Sequence, residues 1–249
     1  MGEIRSQLRR TVAAIADVCE ADVGWTARCT DLPLVHTLNQ VHVTTDTSVE
    51  AVLARADAHQ SGLAYRHLVV DDPRTAEVLG EALAGWKAER EVLMAVAATP
   101  GRRVDTSRVT TLDRAETVGL MRRWDVEEHL DTTPGVIDQL IEYQLREGRA
   151  WDERCLGVRE GGDAVAVTKL RSDGRTTAWV EDVYTVPEAR GRGHARALVT
   201  YAVEQARAEG HRLIFIIADD NDWPKQLYAD VGFRPVTFTW SFHADLAAP

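Results

Sequence analysis

Near the start of the chain, Ile4, Leu8, Val12, Ile15 and Val18 recur at helical spacing, which predicts an amphipathic helix over residues 1–20. An apolar run over residues 32–43 predicts one or two strands. Val49, Val52, Leu53 and Ala56 share one face of a short helix predicted at 48–58. A buried strand at 67–70, a helix at 74–83 and a strand at 89–96 follow. Thr99-Pro100-Gly101-Arg102-Arg103 then joins turn formers to charge, and predicts a linker over 99–104 between domains at 1–98 and 105–249.

The second half is more sharply patterned. Helices are predicted at 111–123 and 134–147, and strands at 154–159, 164–170 and 177–186. Between the strands, Glu160-Gly161-Gly162-Asp163 and Ser172-Asp173-Gly174-Arg175 are rich in hairpin residues. Ala195, Leu198, Val199, Ala202, Val203 and Ala206 form a continuous stripe on a helix at 194–209, and Gly210 is its natural stop. An apolar strand at 213–218 leads to a short helix at 223–230, capped by Asp222 or Asn221, and a strand at 234–242. A faint repeat links the halves. Asp71-Asp72 and Asp219-Asp220 each precede a helix, then Gly85-Trp86 or Gly232-Phe233 at matching spacing, then a strand. The N-terminal half therefore reads as a cut-down copy of the C-terminal one, or as a chance likeness between two units of a common kind.

At 249 residues the chain suits one large domain or two small ones, either able to bury a core without disulfides. Its 45% hydrophobic and 27% charged residues exclude a disordered or fibrous chain. A net charge of −10 argues against a protein that coats nucleic acid or anionic membrane, and is compatible with a cationic partner. Cys19, Cys29 and Cys155 are odd in number and scattered, so neither a disulfide framework nor a zinc site is expected. With no apolar run of ~20 residues and no secretory segment, the expectation is a cytoplasmic protein, monomeric or homodimeric.

The most informative segment runs from Val180 to Ala195: a predicted strand, an Arg/Gly loop, and the start of the striped helix. Glycines let a ligand approach the backbone, and the first N–H groups of a helix lack internal partners and carry the positive end of its dipole. Arg190, Arg192 and Arg196 add formal positive charge, so the expected ligand carries phosphate. A Walker loop is excluded because no Gly-x-x-x-x-Gly-Lys-Ser/Thr occurs. A dinucleotide fingerprint would need a glycine where Arg196 stands.

Arg190-x-x-Gly193-x-Ala195 resembles instead the Arg/Gln-x-x-Gly-x-Gly/Ala pyrophosphate loop of the GNAT acyltransferase superfamily. Val186-Pro187 precedes it, Leu227-Tyr228-Ala229-Asp230-Val231-Gly232-Phe233 resembles the family's Leu-Tyr-x-x-x-Gly-Phe segment, and Asn221 lies seven residues before the tyrosine, at the family position. Pro224 departs from the alanine common four residues before that tyrosine. The resemblance covers about residues 105–243, and the first half has no copy of the loop. It implies a GNAT fold: α/β, with a central mixed, mostly antiparallel sheet flanked by helices, in tandem with a truncated N-terminal copy.

The resemblance also implies the chemistry. The backbone of Val183, Tyr184 and Thr185 would meet the pantetheine arm of acetyl-CoA, with Arg190, Gly191, Arg192, Gly193, His194, Ala195 and Arg196 around its pyrophosphate and Asn221 as a further contact. A primary amine would attack the thioester directly, with no metal and no covalent enzyme intermediate. Glu181 or Asp182, directly or through water, would take the amine proton, and Tyr228 would protonate the leaving thiolate. Adjacent strand residues face opposite ways, so one carboxylate is expected in the cleft; Glu181 is favoured, unless a bulge reverses the choice. Residues 124–131 are the expected acceptor contacts.

Each residue also has a plainer role. Tyr228 suits packing, Glu181 a strand-pair salt bridge, Asn221 a helix cap, and His194 a helix start without a second metal ligand at suitable spacing. His36 and His42 read as ordinary structure. The competing function is a non-catalytic acyl-CoA-binding or partner-binding module.

Overall fold

Gly24 decides how the chain begins. Its φ of 144° belongs to glycine, and a Cβ there would meet the His42 carbonyl oxygen at 2.2 Å. Gly24 opens β2 (Gly24–Arg28), which pairs antiparallel with β1 (Asp17–Ala21) in a hairpin. Helix α1 therefore covers only Gly2–Ala13, and Val18, which continues its apolar stripe in sequence, lies on β1. The helix expected over 1–20 is to that extent corrected. The computed structural model describes residues 2–98, 103–128 and 134–246.

Contacts divide the chain into two compact units. The first holds Met1–Val92, Asp219–Asn221 and Thr237–Pro249; the second holds Leu93–Ala218 and Asp222–Val236. The division thus falls ahead of the segment 99–104, and residues 237–249 group with the first unit. Of that segment, residues 99–102 lie outside the described residues.

In the first unit, a 3-10 turn at His36–Leu38 leads to β3 (Val41–Val43), α2 (Val49–His59), β4 (Tyr65–Val70), α3 (Pro73–Ala82) and β5 (Lys87–Val96), the last of which runs on past Val92. Both helices start on side-chain caps: Ser48 accepts from the Ala51 N–H at 3.2 Å and Asp72 from the Thr75 N–H at 2.8 Å. Strands β3 and β4 pair in parallel around α2. Val41, Val43, Val52, Ala56, Leu68, Val70, Leu79 and Phe242 form the core.

The second unit runs through β6 (Val109–Thr111), α4 (Arg114–Glu128), α5 (Pro134–Arg149), β7 (Asp152–Glu160), β8 (Asp163–Ser172), β9 (Thr177–Thr185), α6 (His194–Ala208), β10 (Leu213–Asp219, its last residue grouped with the first unit), α7 (Pro224–Val231) and the start of β11 (Phe233–Asp245), which belongs to the first unit from Thr237 on. The short β6 stands just ahead of the helix expected from 111, whose start is fixed at Asp113 by a reciprocal cap: the Glu116 N–H donates to Asp113 and the Asp113 N–H to Glu116, both at 2.9 Å. Strands β6 to β9 are antiparallel neighbours in sequence order, and β10 joins β9 in parallel around α6. Leu120, Met121, Ile137 and Ile141 from α4 and α5 pack on Val167, Tyr184 and Val186. The fold is mixed α/β, with mostly antiparallel strands flanked by helices, as expected. Among the described residues no helix is long and apolar enough to cross a membrane.

Candidate active site

The parallel pairing of β9 with β10 is short. It covers Thr177–Leu213, Ala178–Ile214 and Trp179–Phe215, then stops, although β9 continues to Thr185. The last pair is also an aromatic stack, Trp179 on Phe215 with centroids 5.4 Å apart. Beyond it the β10-facing edge of residues 180–185 has no strand partner among the described residues, while the other edge stays paired with β8 as far as Thr185–Ala166. An extended polar ligand can add itself to such an edge as a strand would.

The loop after β9 is built around two left-handed glycines. Gly191 has φ 77° and Gly193 φ 85°, and a Cβ at either would meet nothing within 4 Å. Backbone conformation, not crowding, calls for glycine at both positions, and the space above them is open. Gly193 is the N-cap of α6 and supplies no side-chain cap; the first helical bond is Ala197 N–H to Gly193 O at 3.0 Å. The N–H groups ahead of it are therefore available to an anion. Carboxylates hold the three arginines: Arg190 donates to Glu127 and to the Thr185 carbonyl, Arg192 to Glu160, and Arg196 to Asp230 at 2.8 Å. His194, 5% exposed, meets the same Glu160 at 2.9 Å. Glu127 and Glu160 escape sequence reading because nothing local marks a carboxylate that reaches in from a distant helix or hairpin.

A bulge interrupts β9 at the two carboxylates. Lys169 stands opposite Glu181 and Val167 opposite Tyr184, so Thr168 faces two residues of β9. Asp182 within the bulge has φ 54°, the sole non-glycine at positive φ among the described residues. Strict alternation would put Asp182 on the face away from Lys169; instead its carboxylate meets Lys169 Nζ at 2.5 Å and lies 3.9 Å from Arg171. The bulge that the sequence reading allowed for is present, and its extra residue breaks the period of two.

Asp182 belongs to a buried ionic cluster. Arg171, fully buried, reaches Glu147 at 2.9 Å and Glu153 at 2.8 Å and lies over the Trp179 ring at 4.8 Å. Burial alone would raise the Asp182 pKa, but Lys169 and Arg171 outweigh it and hold the carboxyl below the usual range. A carboxylate so stabilised is a weak base. Burial also raises the pKa of Asp125, to about 6, with the Asp182 charge adding to the effect.

Tyr228, on α7 and 7% exposed, packs edge-on against Phe233. Burial raises its phenol pKa well above the ordinary value; Glu181, Asp222 and Asp182 add to the shift in that order, so Glu181 is the carboxylate it feels most. Of the other predicted residues, Asn221 is exposed, its N–H donating to Asp219 at 2.7 Å, and it lies among the residues grouped with the first unit. Neither Asn221 nor Asp222 caps α7, whose N-cap is Trp223 without a side-chain bond. Within the expected acceptor stretch, residues 124–128 end α4, with Trp124 stacked on Tyr184 at 5.9 Å, and residues 129–131 lie outside the described residues. A cavity of about 520 Å³ between α4, α5 and β7 is lined by Cys155, Glu153 and Lys169 and by none of the predicted site residues.

A bulged strand, a neighbour that leaves it, and a glycine loop entering a helix follow one another along residues that match the model of the acetyltransferase (GNAT) family, over 120–233. This stretch is a GNAT acetyltransferase domain. Solved structures extend the likeness of fold beyond it. A GCN5-related N-acetyltransferase from Kribbella flavida aligns at TM-score 0.62 and 17% identity, covering 97% of this chain and 94% of its own. A conserved protein of unknown function from Staphylococcus epidermidis gives 0.67 at 13% identity, over 93% and 94%. An acetyltransferase of the GNAT family from Novosphingobium aromaticivorans gives 0.52 at 20%, over 81% and 83%. At these identities the likeness is one of fold. No curated protein matches the chain. The match to this domain supports acyl transfer in general.

Proposed function

We propose that the GNAT domain transfers the acetyl group of acetyl-CoA to a primary amine in a ternary complex. The observation that carries this reading is the early end of the β9–β10 pairing, directly ahead of a loop that aims free helix N–H groups at an anion. Residues 183–185 offer backbone to the pantetheine arm, and residues 190–196 receive the pyrophosphate. A backbone N–H of the bulged strand near Val183 or Tyr184 polarises the thioester carbonyl where negative charge develops.

The amine nitrogen bonds to the carbonyl carbon, the C–S bond breaks, and the sulfur leaves with the bonding pair. Glu181 receives the amine proton, directly or through water; Asp182 does not, being held by Lys169 and Arg171. Tyr228 is a neutral phenol at physiological pH, as a donor to the departing thiolate must be, and it recovers a proton from solvent afterwards. The first unit takes no coenzyme in this reading: the link from β3 to α2, residues 44–48, contains no glycine. Release of thiol from acetyl-CoA across a panel of primary amines tests the proposal. Amine-dependent release supports it, whereas coenzyme binding without release would establish the competing reading of a non-catalytic acyl-CoA-binding module.

A further inference from the structure

Sequence reading takes His36 as ordinary structure, and His67 and His243 carry no motif. The first unit brings the three together. His243 on β11 stands directly across from His67 on β4 in the antiparallel register. The turn His36–Leu38 sets the His36 ring over that pair, stacked on His243 with centroids 4.2 Å apart and 5.6 Å from His67. One ring nitrogen from each histidine can be chosen so that all three lie within 4.8 Å of one another.

Two features of this cluster suit a metal ion better than plain packing. The Nδ1 atoms of His67 and His243 are buried and have no hydrogen-bond partner, a cost that folded proteins rarely leave uncompensated. Nε2 of His243 is engaged by Asp245 at 3.0 Å, the carboxylate–imidazole arrangement that orients a ligating histidine and leaves its other nitrogen for the ion.

We infer that His36, His67 and His243 form a binding site for a divalent transition-metal ion of the zinc class, with water as a fourth ligand. Tetrahedral zinc with Zn–N bonds of about 2.0–2.1 Å needs nitrogens roughly 3.3 Å apart, so the nitrogens close by up to about 1.5 Å on binding. The site joins β4, β11 and the 36–38 turn, and so staples residues far apart in sequence within one unit. Stapling, not acyl transfer, is the role it implies.

The untagged full-length chain, freed of metal by chelation, is titrated with Zn²⁺ by calorimetry and with Co²⁺ by visible absorption. The site predicts one Zn²⁺ per chain, the intense bands of four-coordinate Co²⁺, and a rise in thermal midpoint on adding Zn²⁺. His36→Gln, on the turn rather than in a strand, His67→Gln and His243→Gln each abolish all three signals, Asp245→Asn weakens Zn²⁺ binding roughly 10-fold, and His211→Gln leaves it unchanged. Circular dichroism checks that each variant is folded. Absence of stoichiometric binding to the wild type, or binding that persists in a folded His36→Gln variant, overturns the inference.

Discussion

Tyr228 shows how much one side chain owes to its surroundings. Its phenol is buried, its pKa is raised first by burial and then by Glu181, and it therefore keeps its proton until a stronger base appears. Tyr228→Phe is expected to lower turnover at least ~10-fold while leaving acetyl-CoA affinity nearly unchanged, because only the hydroxyl is lost. Steady-state kinetics beside calorimetry checks this, and an unchanged rate removes Tyr228 from the mechanism. Asp125 offers a second test. A carboxyl that titrates at about 6 when folded, against about 3.9 unfolded, binds its proton more tightly in the native state. Its charge therefore destabilises the fold above about pH 6, and the penalty fades as the pH falls toward about 4. Asp125→Asn should raise stability by on the order of 2 kcal/mol near pH 8 and change little near pH 4, read from urea midpoints. Equal effects at both pH values would contradict the burial argument.

Among elements, the helices are the most legible in sequence. The stripe from Ala195 to Ala206 reappears, because helix periodicity is local, whereas the cap expected from Asn221 or Asp222 does not. The β1–β2 hairpin is not legible, since Val18 fits both the helical stripe and a strand. The bulge at Asp182 likewise has no marker, because a non-glycine residue at φ 54° is held there by Lys169 and Arg171. The loop Arg190–Arg196 lies at the other extreme, its glycines being required by their own dihedrals. Gly193→Asp should abolish acetyl-CoA binding by calorimetry, since it forces a side chain onto φ 85° and sets a carboxylate beside the phosphate site. Retained affinity would show that the coenzyme lies elsewhere.

For the whole molecule, sequence gives the fold class and the chain order of the GNAT domain, but not the partition of the chain. Residues 237–249 read as the end of the second half, yet Trp240–Asp245 pair with β4 in the first unit and Phe242 fills its core. The histidine cluster was hidden for the same reason, as its members meet only once that pairing exists. The charge of −10 stays uninformative alone, but around Arg171 it becomes specific: Glu147, Glu153, Glu181 and Asp182 face Lys169 and Arg171, an acidic excess beside the proposed base. The central claim is that these residues transfer an acetyl group to an amine, and thiol release from acetyl-CoA measures it most directly. The account predicts release that requires a primary amine, saturates with it, and disappears in Gly193→Asp. Release absent across the amine panel despite bound acetyl-CoA, or undiminished in Gly193→Asp, would contradict it.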